Sequence, residues 1–154
     1  MRTSAGILLY RGADSLEFFL VHPGGPFWAG REDGAWTIPK GEFVAPEKPL
    51  AAARREFFEE TGFSVKGPFL ELGSVRQKAG KEVHAWASPG DIDPAAIRSN
   101  TFRTQWPPRS GKWISVPEID KAGWFAYDEA ARLINAAQVA FLDTLLQKLA
   151  NPDL

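Results

Sequence analysis

The sequence predicts an α+β protein, an α/β/α sandwich built on a mixed β-sheet. Three observations carry that reading. Short β-branched and aromatic runs bounded by turn residues recur along the chain, one helical segment with clear boundary residues interrupts them, and two more helical segments close it. At 154 residues and 17.0 kDa the chain is the size of one ordinary domain, so a single domain over residues 1–154 is expected.

Ser4 to Arg11 and Leu16 to His22 are β-rich runs, and Gly12-Ala13-Asp14-Ser15 between them is turn chemistry, which predicts a hairpin. From Pro23 to Gly34 the chain is rich in Gly and Pro and reads as a surface loop that delivers a short strand at Trp36-Thr37-Ile38. Pro49 suits a first helical turn and Gly62 the position just past a helix end, so the two bracket a helix of about a dozen residues. Phe69 to Gln77 and Glu82 to Ala87 read as two further strands joined near Gly80. Residues 88 to 111 hold Pro89, Gly90, Pro94, Pro107, Pro108 and Gly111 and are expected to form a long irregular surface excursion. Trp113 to Val116 and Gly123 to Ala126 suit short strands. Asp128 to Ile134 and Ala136 to Leu149 suit helices, with Asn135 as cap of the second.

Composition excludes several classes of function. A formal charge of −1 and a pI near 6.1 argue against a broad nucleic-acid surface. The absence of cysteine removes disulfides and thiolate metal sites and makes a reducing cytoplasm the natural expectation. The short apolar run from Gly6 to Tyr10 suits a strand rather than a leader, and no run approaches the roughly 18 apolar residues of a membrane helix. A soluble protein without membrane partner is expected; the sequence says nothing of its oligomeric state.

The stretch Gly41 to Phe63 raises a physical question, because Glu56, Glu59 and Glu60 fall within five residues near the end of the expected helix. At about 100° per residue the three share one arc, while Leu50, Ala53 and Phe57 fall along another. Like charges at such spacing cost a few tenths of a kcal/mol per exposed pair, and a helix C-terminus disfavours each anion by about 0.3–1 kcal/mol. Closer to a core, two charges about 4 Å apart repel by up to about 4 kcal/mol at an effective dielectric near 20. A bound cation reverses that sign, and hard oxygen donors without cysteine suit Mg²⁺ or Mn²⁺ better than zinc. A solvated acidic helix face is the plain alternative for such a cluster taken alone.

Context decides between the two. Gly41, Glu47, Arg55, Glu56, Phe57, Glu59, Glu60, Gly62 and Phe63 match every specified position of G-x5-E-x7-R-E-U-x-E-E-x-G-U, with U apolar. On that motif the chain resembles the Nudix hydrolases. The Trp-Thr-Ile-Pro lead-in and the preceding strands are similar to the family too, and Trp124-Phe125 followed by Asp128-Glu129-Ala130 agrees more loosely. The resemblance implies a Nudix-type sandwich and divalent-metal-dependent hydrolysis of a phosphoanhydride in a nucleoside diphosphate linked to another group X. Dinucleoside polyphosphates and nucleoside triphosphates are the first expectations for that substrate. By the same resemblance the ion is held by Glu56, Glu59, Glu60 and the backbone carbonyl of Lys40. Glu56 is favoured as general base, and Arg55 and Glu47 orient the ligands. Gly41 is read as permitting a tight turn before the helix and Gly62 as a left-handed cap after it.

Outside the motif, Lys40 either meets a phosphate or is a plain exposed lysine, and Glu118 either adds a carboxylate to the metal site or is a surface acid. Phe27 and Trp28 sit in the Gly-rich loop and are candidates to stack on a base, or simply pin the loop. The run Trp106 to Lys112 joins a stiff turn to Arg109 and Lys112, which makes it a candidate lid reaching the phosphates. His22 and His84 are read as structural, and Asp91 and Asp93 as turn residues. Gly24-Gly25 lacks the G-K-[ST] continuation of a nucleotide-binding loop. A reading from another class is a Nudix-fold module that senses a nucleotide without cleaving it; such modules lose carboxylates of the motif, and this chain keeps them.

Overall fold

A computed structural model describes residues 2–152. Strands β1 (Thr3–Arg11), β2 (Glu17–Pro23), β3 (Lys40–Glu42), β4 (Leu70–Arg76), β5 (Glu82–Pro89) and β8 (Ile119–Ala126) form a sheet in the order β4-β5-β1-β2-β8, with β3 paired to β1. The β1–β5 pair is parallel and the other pairs are antiparallel, which makes the sheet mixed as expected.

Alternation along β1 and β2 sends side chains to two cores. Ile7, Leu9, Phe19 and Val21 pack with Ala52, Ala53 and Phe57 of helix α1 (Pro49–Thr61). Leu8, Phe18 and Leu20 pack on the other face with Leu133 of α2 (Tyr127–Leu133) and Phe141, Leu142 and Leu145 of α3 (Val139–Ala150). One helix therefore covers one face and two cover the other. Asn135 caps as expected, accepting from the Ala137 N–H, although the turn it opens is a one-turn 3₁₀ segment ahead of α3.

Three expectations need correction. Trp36-Thr37-Ile38 makes only isolated bridges, to Ile134 and Val21, and the strand lies beyond Pro39, at Lys40–Glu42. Pro39 has no N–H for a ladder, and the segment before it is held from both sides. Thr37 exchanges backbone hydrogen bonds of 3.0 and 2.9 Å with Val21, while the fully buried Gln138 accepts from Ile38 N–H at 3.0 Å. The second correction is β8, which starts at Ile119 rather than Gly123 and pairs along β2 as an edge strand. The third lies in the 88–111 excursion, which is only partly irregular. Thr101–Gln105 (β6) pairs in register with Trp113–Pro117 (β7) as a separate antiparallel hairpin.

Candidate active site

Helix α1 runs from Pro49 to Thr61 and is closed by Gly62, whose φ of 80° is the left-handed cap expected of it; its N–H donates to Phe58 O at 2.7 Å. Phe57 is fully buried against Phe19, with ring centroids 6.2 Å apart, so the helix is fixed at the turn that carries the acids. Gly41 has a role other than the turn expected. It lies within β3, and a Cβ there would overlap the carboxyl group of Glu56. The missing side chain makes the space in which that carboxylate sits.

Arg55 organises the acids around it. Its Nε and Nη2 donate to the two oxygens of Glu47 at 2.8 and 2.9 Å, a bidentate pair, and its Nη1 donates to Glu56 at 2.9 Å and Glu59 at 3.2 Å. These hydrogen bonds hold the guanidinium pKa up and the Glu47 carboxyl down. Glu60 faces the other way. It is 4% exposed and its carboxylate faces the backbone N–H of Lys40. Burial pushes its carboxyl well above the usual range, and repulsion from Glu56 adds to that while Lys40 opposes it. Glu56 is also raised, first by burial and also by Glu59, against the Arg55 hydrogen bond. The three acids thus share a neighbourhood but divide between Arg55 and Lys40, and among the described residues no group of three or more His, Cys, Asp or Glu side chains closes around one point.

A polar cleft of about 340 Å³ joins Ser4, Lys40, Gly41, Glu42, Glu56, Lys81 and Glu118. Glu118 lines this cleft, its carboxyl raised by burial and by Glu59. Lys40 is half-buried, and desolvation lowers its ammonium pKa against the pull of Glu60. The sequence reading missed Ser4 and Lys81. Ser4 and Gly6 pair with Glu42 and Lys40 across β1–β3, and Ser4 pairs with Val83 across β1–β5. Lys81 precedes Val83 by two, so alternation sets Lys40 and Lys81 on one face.

The cleft's donors fit a hard divalent ion in kind. Its glutamates and the Ser4 hydroxyl offer hard oxygen donors, and Gly41 leaves the Glu56 carboxylate its space. β1 and β3 exchange hydrogen bonds at Pro39 and Phe43, so in an antiparallel ladder the N–H and C=O of Lys40 point away from β1. The N–H meets Glu60, which leaves the carbonyl to the cleft side.

The remaining sequence-derived candidates lie farther out. Trp28 and Phe27 form a T-shaped pair 5.0 Å apart in a second, aromatic cavity. Arg109 and Lys112 stand exposed on the turn between β6 and β7 and line neither cavity. His22 is buried and structural, as read: its Nδ1 lies 2.8 Å from Asp120 and its Nε2 2.6 Å from the Arg31 carbonyl. His84 pairs with Glu82 at 2.9 Å, Asp91 with Arg11 at 2.8 Å, and Asp93 accepts from Ala95 N–H as a turn residue. No helix among the described residues is long and apolar enough to cross a membrane.

A family model for the NUDIX domain matches residues 1–145. An uncharacterized 17.7 kDa protein of the e-segB intergenic region of Enterobacteria phage T4 is 28% identical over 120 residues, 76% of this chain and 77% of the phage protein. Among solved structures, a C. elegans Ap4A hydrolase binary complex aligns with a TM-score of 0.68 at 21% identity, covering 97% of this chain and 98% of that one. The NUDIX domain of Shewanella oneidensis NrtR complexed with ADP ribose aligns with a TM-score of 0.63 at 14% identity over 96% of this chain and 87% of that one. The MutT protein of Methanosarcina mazei aligns at 0.63 and 18% identity over 96% and 94%. At these identities the likeness of structures establishes the fold.

Proposed function

The chain belongs to the NUDIX family, and we propose that it is a pyrophosphohydrolase that uses a divalent cation, Mg²⁺ or Mn²⁺, to split a nucleoside diphosphate linked to another group X. A dinucleoside polyphosphate or a nucleoside triphosphate is the substrate this reading favours, and water attacks at phosphorus. The observation that carries it is the cleft in which Glu56 and Glu118 face Lys40 and Lys81 beside the buried Glu60. Three carboxylates, Glu56, Glu60 and Glu118, pushed up by burial and by neighbouring acids, stand next to two cations, which suits a ligand that brings both positive charge and phosphate. That one of the structural relatives is an Ap4A hydrolase supports a polyphosphate chain.

Glu56, Glu59, Glu60 and the Lys40 carbonyl would hold the ion, with Glu118 as a further donor. Such an ion supplies a Lewis acid that neutralises charge developing on the phosphate oxygens. Glu56 is the candidate base, because a half-buried carboxylate of raised pKa takes a proton from water more readily than an exposed one. Arg55 fixes Glu56 and Glu59 through one nitrogen, while Glu47 holds the guanidinium in plane. Lys40 and Lys81 would orient the phosphates. Soluble nucleotides and a chain without cysteine suit a cytoplasmic setting.

The test is a panel of dinucleoside polyphosphates, nucleoside triphosphates, ADP-ribose and sugar nucleotides assayed with Mg²⁺ for released mononucleotide. Product that depends on the ion supports the reading. Tight nucleotide binding without product from any member would instead make the protein a sensing module.

A further inference from the structure

The β6–β7 hairpin is tied to the end of the catalytic helix. Arg98 and Asn100 N–H groups donate to the Thr61 and Glu59 carbonyls at 2.8 and 2.9 Å, and Glu118 N–H donates to Asn100 O at 2.9 Å. Carbonyls that a helix C-terminus leaves unpaired thus hold the root of the hairpin. The Gly-rich loop joins the same point, since Gly24 N–H donates to Glu118 O at 2.8 Å. Hairpin and loop therefore rise together beside an acid of the polar cleft.

Between them lies a cavity of about 330 Å³ walled by Phe27, Trp28, Phe102 and Trp106. Phe27 is 56%, Phe102 38% and Trp106 41% exposed, so these rings are surface left open rather than core. Gln105 lines the same cavity. Its amide oxygen is taken by the Gly111 N–H at 3.1 Å, which fixes its orientation and leaves the amide N–H groups as donors with no protein partner among the described residues.

We propose that this cavity takes a nucleobase of the substrate, stacked among Phe102, Trp106 and Trp28, with the Gln105 amide donating to an acceptor on the base edge. The inference rests on the reading of the polar cleft as a phosphoanhydride site, and it selects X groups and nucleotides that carry a flat heteroaromatic ring over sugars or polyols. Every base has a stackable face, so the rings give affinity while Gln105 gives the edge contact.

Tryptophan fluorescence provides a test that does not need turnover. AMP and UMP should quench the wild-type protein saturably, whereas ribose 5-phosphate, which carries the same anion without a base, should not. Phe102→Ala should weaken AMP or UMP binding about tenfold, and Gln105→Leu should weaken it less. Phe102→Tyr, which keeps a ring, should bind as wild type does and guards against a merely unfolded alanine variant. In hydrolysis, Phe102→Ala should raise KM with kcat nearly unchanged. Equal quenching by ribose 5-phosphate, or AMP and UMP binding that Phe102→Ala leaves untouched, overturns the proposal. Failure of the hydrolase reading would look different, as no product from any substrate in the wild type, with the fluorescence titration unaffected.

Discussion

The two clefts are built in opposite ways. The polar one stands on buried material: Phe57, Ala52 and Ala53 are fully buried beneath the acids, Glu60 is nearly so, and Arg55 links three carboxylates. The aromatic one is carried by a hairpin outside the main sheet, and its rings are 38–56% exposed at Phe102, Trp106 and Phe27. The difference teaches where positional precision is needed. Groups that act on a phosphorus atom must be held by packing and hydrogen bonds, whereas a surface that sorts one ring from another tolerates a looser arm.

Substitutions can break or sharpen that contrast. The largest effect is expected at Glu56, where Glu56→Gln should lower kcat about 10²- to 10⁴-fold, the range for a lost general base, with little change in KM. Gly41→Ala comes next. Its Cβ would displace the Glu56 carboxylate while β3 keeps its pairing, so kcat should fall about tenfold or more as thermal stability drops by about 1–3 kcal/mol. If Gly41→Ala leaves kcat intact, the polar cleft is not the rigid site described here.

Glu60 gives a pH test of the same rigidity. Its carboxyl is held well above the ordinary value of 4.5 in the folded chain, so folding favours the protonated acid. The contribution of Glu60 to the stability of the ion-free protein is therefore full below about pH 4.5 and is lost as pH rises through the folded pKa. Glu60→Gln removes that decline, so its melting temperature should exceed the wild type's at pH 8 by more than at pH 5. Each kcal/mol recovered is worth about 2–4 °C in a domain of this size. The smallest effects belong to the hairpin tip. Arg109→Ala and Lys112→Ala remove exposed charges and should each change KM less than about fivefold; a larger loss in steady-state assays would mean that the tip closes over the phosphates after all.

The helix and its acids are legible because the motif positions answer local constraints: Pro49 and Gly62 mark the ends, and spacing places the glutamates on one arc. The division of those glutamates between Arg55 and Lys40 was not legible, since a 100° arc does not say which side chain turns inward. Strand β3 is not legible, because Trp36-Thr37-Ile38 has the apolar character of a strand, while Lys40-Gly41-Glu42 has none and is defined only by its register with Ser4 and Gly6. Thr101–Gln105 is hidden in the sequence for a related reason. Its Arg, Thr and Gln residues bury little, so no alternation marks it, and it exists through pairing with β7. Lys81 reached the cleft through a parallel register with β1 that no local pattern encodes.

A titration of Mn²⁺, followed by the electron paramagnetic resonance of the free ion, tests the central claim most directly. Mutual repulsion in the acid cluster should be relieved by one or more bound divalent ions. Wild-type protein should deplete the free signal saturably at pH 7.5, Glu59→Gln and Glu60→Gln should each weaken binding about tenfold or more, and Mg²⁺ should compete. Equal binding by all three proteins, or none by the wild type, would contradict it.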